Sequence, residues 1–433
     1  MKKLTVLLTM LGLTTTLCAA EKNFKVKATN PSLNPRSAVP IVIKLDSETT
    51  QAVVKQGNYE IPCQLDDLND DGINDELSFL TDIAAGETQE FTITLSSDGI
   101  PKTYPNRTYG YIGIRDRSEK KQKHQRINSV TFPKDTNPYN YIYPHGAVME
   151  NDMIGFRVYC DHRQSIDLYG HRHRKMDIAE TGFYTTPLQR EQGYGEDVLY
   201  TGSTYGCGAL HGWDGKNAIM FENVRNTTET IVCEGPVRTI VDITNKGWKP
   251  TPDCKPVDIV TRYILYYGHR DVEVQVKFSR PVPDLQLSTG IVDIVEGSEE
   301  FSDKAGLRGD WGTACAGNNP KVYDTITVGL GIYVPPVYYK GDSHFTDGKP
   351  RLPNQAYVQI VGTETDSLHY WFTATSHIES FGFSNKDAWF EWLKKWKEEL
   401  EKPIQPLTCP AGILSPRGEE KVSTSNKKNS KKK

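Results

Sequence analysis

Ile259-Val260-Thr261-Arg262-Tyr263-Ile264-Leu265-Tyr266-Tyr267-Gly268-His269-Arg270-Asp271-Val272-Glu273-Val274-Gln275-Val276-Lys277-Phe278 is the stretch that decides the fold. Val272, Val274, Val276 and Phe278 alternate with Glu273, Gln275 and Lys277. A period of two puts one set on each face of a strand, and no helix face collects it. The run from Ile259 to Tyr267 is rich in β-branched and aromatic residues, and Gly268 to Asp271 supplies a turn. The whole reads as a β-hairpin. Working outward, Val358 to Val361 and Tyr370 to Thr375 flank a turn at Thr363 to Asp366. Thr325 to Val334, Asn217 to Phe221 and Val237 to Ile243 read as further strands. Many short strands separated by Gly and Pro predict an all-β sandwich.

The chain divides near residue 102. Residues 21–102 carry strand-like runs at Phe24 to Ala28, Val39 to Leu45 and Thr88 to Leu95, which predict a small N-terminal β-domain. Residues 103–414 are too many for an immunoglobulin-size sandwich and predict a large one. One helix interrupts the pattern. Ser384 is its expected cap, with Asp387 three residues on. Trp389, Trp392, Leu393, Trp396 and Leu400 share a face, and Pro403 stops it. That amphipathic C-terminal helix reads as packed on a sheet rather than as a sugar platform.

The composition is globular: 24% of the 433 residues are charged and 10% aromatic, with a net charge of −4. It excludes a multi-span membrane protein, a collagen, a coiled coil and a basic nucleic-acid binder. Residues 1–20 combine Lys2 and Lys3, an apolar run and Cys18-Ala19-Ala20, the pattern of a secretory signal peptide cut after Ala20. The mature chain is then periplasmic or secreted and has no transmembrane segment. Lipid attachment at Cys18 is the alternative, though Leu17 is a poor residue before a lipidated cysteine. The Lys/Ser/Asn-rich segment 415–433 predicts a disordered basic tail. Cys63, Cys160, Cys207, Cys233, Cys254, Cys315 and Cys409 show no C-x-x-C spacing, so neither a zinc site nor a redox motif is visible.

The acidic loop Asp66-Asp67-Leu68-Asn69-Asp70-Asp71-Gly72-Ile73-Asn74-Asp75-Glu76 spaces its oxygens as calcium loops do. Asp67, Asn69, Asp71, the Ile73 carbonyl and Asp75 are the expected ligands of a structural calcium, with Gly72 at the sharp turn. Ser78 stands where an EF-hand has its bidentate Glu. A solvated, Asx-rich turn is the alternative.

Polar residues crowd the segment from Tyr143 to Trp213. Tyr143-Pro144-His145-Gly146 opens it. Arg157, Asp161, His162, Arg163, Asp167, Tyr169, His171, Arg172, His173, Arg174 and Lys175 follow, then Gly193 to Asp197 and Thr201 to Trp213. Polar density in loops of a rigid β-scaffold is where function sits. No phosphate loop, dinucleotide fingerprint, nucleophile-elbow serine or zinc helix occurs, and no organic cofactor is expected.

The sequence resembles the domain-of-unknown-function 4861 family of exported Bacteroidetes proteins. The resemblance is carried by Asp67 to Glu76, Glu150 through Gly170, Thr181-Gly182-Phe183-Tyr184, Gly193 to Asp197, Gly202 to Gly208, Pro236-Val237-Arg238, Thr289-Gly290-Ile291 and Trp311-Gly312. It implies a galactose-mutarotase-like sandwich and a carbohydrate-active protein of a polysaccharide-degrading system. It further points to β-elimination on uronic-acid oligosaccharides, as a polysaccharide lyase or as a dehydratase leaving a 4,5-unsaturated uronate. Such chemistry needs a base for H5, an acid for the departing O4 and a cation for the carboxylate. His145 is the expected base, Tyr205 or Tyr169 the acid, and Arg157 or Arg163 the clamp. Tyr143, Glu150, His162, His171, Lys175, His211, Trp213 and Trp311 are the expected substrate contacts, and the partner is an acidic oligosaccharide or polysaccharide. Each residue has a structural alternative: Arg157 pairs with Asp161 or Asp167, 171–174 form a solvated turn, and Trp213 and Trp311 pack in the core. Two other functions stay open. A glycoside hydrolase would draw a carboxylate pair from Glu150, Asp152, Asp167, Glu196 and Asp197. A non-catalytic glycan-binding protein needs only aromatic platforms.

Overall fold

The computed structural model describes residues 21–98, 100–116, 118, 123–294, 296–317, 324–346 and 355–409. The expected signal peptide, with Cys18, and the basic tail lie outside the described residues. Among those described, no helix is long and apolar enough to cross a membrane.

The deciding hairpin forms as read. Val257–Tyr266 and Asp271–Phe278 pair antiparallel, from Ile259 opposite Phe278 to Leu265 opposite Val272. Val272, Val274, Val276 and Phe278 are buried, at most 2% exposed, while the intervening residues face outward. The hairpin lies at the centre of a nine-stranded antiparallel sheet. A six-stranded sheet built on Ile142–Glu150, Ile154–Tyr159 and Ile166–Gly170 covers one part of its inner face. A five-stranded sheet containing Leu210–Trp213, Leu287–Val292 and Gln355–Val361 covers another. One continuous apolar core, from Ile112 to Ala374, fills the space between the layers. The protein is thus an all-β sandwich of large size, as the strand pattern predicts.

One turn has a different role from a hairpin loop. Gln355–Val361 belongs to the five-stranded sheet, whereas Ser367–Ser376 belongs to the nine-stranded one. The connection at 362–366 therefore carries the chain across the core from one layer to the other. Apolar alternation in both strands is the same in either arrangement, because both bury one face.

Residues 21–96 form a smaller sandwich of a five-stranded and a three-stranded sheet around Phe24, Val26, Ile41, Val54, Phe79 and Phe91. Its outermost strand comes from the far end of the chain: Leu407–Cys409 pairs with Glu21–Thr29, Val26 opposite Thr408. The large sandwich consequently ends before residue 414, since the last described strand returns to the small one. A short strand of three residues carries too little periodicity to reveal this in sequence.

The helix spans Lys386–Glu401. Asn385, not Ser384, caps it, its side-chain oxygen accepting the Ala388 N–H at 2.9 Å. Asn and Ser cap equally well, so only the backbone geometry decides between neighbours. Trp389, Leu393 and Trp396 are buried against Leu307 and Tyr333 on the outer face of the nine-stranded sheet. Trp311 belongs to this packing, half-buried, rather than to a loop. The small sandwich docks on another part of that outer face. Gln64 accepts the N–H groups of Val237 and Arg238 at 3.0 and 3.1 Å, and Arg238 pairs with Asp66 at 2.7 Å.

Candidate functional site

The six-stranded sheet sends Ala147, Met149, Phe156, Val158 and Leu168 into the main core. Alternation then puts Val148, Arg157, Asp167 and Tyr169 on its other face. Val148 and Tyr169 meet Ile178 and Phe183 there, so the segment after residue 171 folds back as a cover. Gly182, at φ +60°, ends a short helix within the cover. A Cβ on it would stand 2.0 Å from the Tyr143 hydroxyl, so only glycine lets the two approach.

Arg157 is the centre of the buried polar network. Its guanidinium is about 1% exposed and pairs with Asp167, directly opposite on the next strand. It donates to the Pro144 carbonyl at 2.9 Å, the Tyr184 hydroxyl at 2.8 Å and the Tyr159 hydroxyl at 2.8 Å. Tyr159 donates in turn to Asp167 at 3.0 Å. Phe183 stacks under the cation at 4.1 Å. The Asp197 carboxylate lies 3.6 Å away, and burial together with the Asp167 charge holds its pKa well above the usual carboxylate range.

His145 stands at the rim of this network with backbone φ +73°. Non-glycine residues at positive φ are costly and collect at working sites; Phe183, at φ +72°, is another here. The His145 ring stacks on Tyr139 with centroids 4.0 Å apart and meets the Tyr184 ring edge-on at 6.0 Å. Its Nδ1 lies 2.6 Å from the Tyr139 carbonyl oxygen. A carbonyl only accepts, so Nδ1 carries the proton and Nε2 has the free lone pair. Burial, helped by the Arg157 and Arg115 charges, lowers the imidazole pKa below 6.5. The ring is neutral at pH 7.

Tyr184 faces the same rim. Its oxygen accepts from Arg157, and its own proton makes no hydrogen bond among the described residues. Burial pushes the hydroxyl up to about 12, so it holds that proton at neutral pH. Tyr143 stacks on His124 at 3.7 Å, with the Arg115 guanidinium 5.9 Å from its ring centre. No described carboxylate forms an ion pair with Arg115. Arg163 pairs with Asp161 at 2.7 Å, donates to the Gly202 carbonyl and lies 5.0 Å over Tyr159. A cavity of about 300 Å³ adjoins this edge, lined in part by Asn137, Pro138, Asp161 and His162.

The sequence-predicted residues thus separate into two sets. Tyr143, His145, Arg157 and Arg163 come together, and His162 lies at the cavity, half-exposed and 3.7 Å from Glu222. The others are elsewhere. Tyr205 lies in the main core with its hydroxyl on Ser288 at 2.8 Å. Tyr169 is fully buried and bonds to Thr181, Thr185 and the Gly195 carbonyl. Both hydroxyls are bonded inside the protein, away from the rim at His145. His171 and Glu150, both fully buried, bond to each other at 2.9 Å, and Glu150 also accepts the Ile178 N–H. Lys175 pairs with Asp177 at 3.2 Å. His211 bonds to the Arg163 carbonyl at 2.6 Å, and Trp213 packs in the main core. Tyr139, Tyr159, Tyr184, Arg115 and His124 escaped the sequence reading. Tyr184 was visible only as the end of the Thr181-Gly182-Phe183-Tyr184 motif.

The acidic loop is a self-satisfied turn. Asp67 accepts the N–H groups of Asn69, Asp70, Asp71 and Gly72 at 2.7 to 3.3 Å. Asp71 accepts from Ile73, and Asp75 from Leu68. No three His, Cys, Asp or Glu side chains converge as a metal site among the described residues.

With that geometry in place, likeness to known proteins can be weighed. The model of the family described as "Domain of unknown function (DUF4861)" matches residues 28–405. The chain belongs to that family. No curated protein matches the sequence. Two solved structures are similar to this family member. One is an alpha-mannosidase from Enterococcus faecalis V583, at 10% identity and TM-score 0.44, covering 89% of this chain and 46% of that one. The other is a glycosyl hydrolase family 38 protein from Enterococcus faecalis, at 10% identity and TM-score 0.45, covering 93% and 48%. The chain spans about half the length of each.

Proposed function

We propose that this family member is a carbohydrate-active elimination enzyme acting on uronic-acid oligosaccharides at the His145–Tyr184 cluster. The observation that carries the reading is the fixed tautomer of His145, which leaves an unprotonated Nε2 beside a phenol that keeps its proton. In the proposed step Nε2 takes H5 of the uronate. The C5–H electrons form the C4–C5 double bond, and the C4–O4 bond breaks. Tyr184 gives its proton to the departing oxygen, and Arg157 behind it stabilises the phenolate. Arg115 and the partly exposed Arg163 are the cations for the substrate carboxylate, because Arg157 is buried and both of its terminal nitrogens already meet protein oxygens. The product is a 4,5-unsaturated uronate whether the leaving group is a sugar or water.

The carboxylates a hydrolase would need support this choice. Glu150 is held by His171, Asp152 by Arg174, Asp167 by Arg157 and Glu196 by Arg172 and Arg190. Asp197, 3.6 Å from Arg157 and raised by burial, is the fifth, and no second carboxylate of the set is free to flank a bond with it. Export of the chain, on residues 1–20, belongs to the same reading. The test is incubation of the mature chain with ulvan-like, pectic and glycosaminoglycan oligosaccharides, read by the ultraviolet absorbance of the unsaturated product. Growth of that band, lost in His145→Gln, is expected. Reducing sugar released without the band would overturn the proposal in favour of a hydrolase.

A further inference from the structure

A second cavity lies away from this cluster, on the outer face of the nine-stranded sheet. It holds about 450 Å³, between the small sandwich, the 266–273 turn and the C-terminal helix. That is within the range of small-ligand sites. Trp371 and Trp392 line it, both half-buried; Trp392 is stacked between Trp389 at 5.2 Å and Trp396 at 5.9 Å, and Trp371 lies beside Tyr333 at 6.1 Å, so ring edges border the cavity. Trp371 carries His369 at 4.0 Å on one side, which fixes its plane.

The polar lining is divided between engaged and unengaged groups. His269 is engaged: one ring nitrogen faces Asp271 at 3.1 Å and the other the Ala38 carbonyl at 2.9 Å. Glu273 is held by His369 at 3.0 Å. Arg36 is not. Its side chain is 8% exposed and bonds through Nη1 to the Lys402 carbonyl, yet Nε and Nη2 have no hydrogen-bond partner. Buried donors of a cation left unmatched cost free energy that a ligand acceptor would recover. Glu399, also in the lining, feels the Arg36 charge, but no ion pair joins the two.

We infer that this interdomain cavity is a second saccharide-binding site, taking a neutral sugar ring against the exposed edges of Trp371 and Trp392. A sugar hydroxyl accepts from Arg36 while donating to Glu399, which neither a purely anionic nor a purely cationic ligand can do. A uronate carboxylate would meet the Glu399 charge. The tryptophan ring edges supply the apolar contact for the ring C–H groups. The site is independent of the His145–Tyr184 chemistry and stands whether or not that reading holds.

The test is intrinsic tryptophan fluorescence of the mature chain titrated with methyl glycosides of glucose, galactose, mannose, rhamnose and xylose, and with glucuronic and galacturonic acids. A saturable change with at least one neutral glycoside is expected. Arg36→Met and Glu399→Gln should each weaken it by about tenfold or more, with circular dichroism and melting temperature unchanged. Trp371→Leu should abolish it, and elimination by the His145 cluster should be unaffected in Arg36→Met. Absence of a saturable change with every neutral glycoside overturns the site. Equal binding by wild type and both polar variants overturns the assigned lining. Tighter binding of the uronic acids overturns the neutral ligand class.

Discussion

Replacing Arg157 by Met tests the reasoning about the buried network most directly. The substitution keeps most of the side-chain volume and removes the charge. Asp167 is 1% exposed and loses its partner on the neighbouring strand. The hydroxyls of Tyr159 and Tyr184 and the Pro144 carbonyl lose a donor each. Asp197 adds little, because burial already favours its protonated form. Breaking a buried ion pair from one side costs about 3–5 kcal/mol. At roughly 2.1 cal/mol/K per residue of unfolding entropy, that lowers the melting temperature of the described chain by on the order of 5 °C. Urea unfolding followed by circular dichroism reads the free-energy loss. The double variant Arg157→Met/Asp167→Asn should regain at least half of it, since no charge is then left without a partner. A loss under about 1 kcal/mol, or no recovery in the double variant, would refute the claim that charge pairing rather than packing holds this face together.

Three further outcomes follow from the same geometry. His145→Gln and Tyr184→Phe should each lower kcat/KM for the unsaturated product by about 10²–10⁴-fold; the wild-type acid limb should fall below pH 6.5, because a lowered histidine pKa keeps the base unprotonated to lower pH, and a limb above 6.5 would contradict it. His211, buried and lowered to about 4, is neutral in the folded chain but takes a proton near 6.5 when unfolded. Stability should therefore decline as pH drops from 6.5 towards 4, by roughly 3 kcal/mol from this group, and His211→Asn should flatten that slope in urea titrations. Chelation of divalent ions should leave the melting temperature unchanged if the acidic loop is the Asx-rich turn that its backbone bonds to Asp67 describe; a calcium-induced rise that Asp67→Ala abolishes would select the calcium loop instead.

The fold was legible because burial on one face leaves a period of two in any strand, and 272–278 shows it without interruption. The strands of the small sandwich, such as Phe24 to Ala28 and Thr88 to Leu95, were legible for the same reason. The C-terminal strand was not, because three residues carry no period and their partner lies at the other end of the chain. Part of the cluster was legible in polar density: His145 stands out between Pro144 and Gly146, and Arg157 interrupts an apolar strand. Density alone did not separate Tyr184 from Tyr205. Both are tyrosines beside glycine-rich turns, yet one hydroxyl meets Arg157 at a rim and the other meets Ser288 inside the core.

By itself the sequence determined the local conformations and which faces turn inward, since those depend on neighbours two to four positions away. Tertiary structure alone decided which tyrosine keeps a usable proton, which nitrogen of His145 is bare, and that Arg36 and Trp371 border one cavity. Those properties depend on residues tens to hundreds of positions apart and on the local burial they create. Hydrogen-bond partners and desolvation are set in space, and no spacing along the chain encodes them.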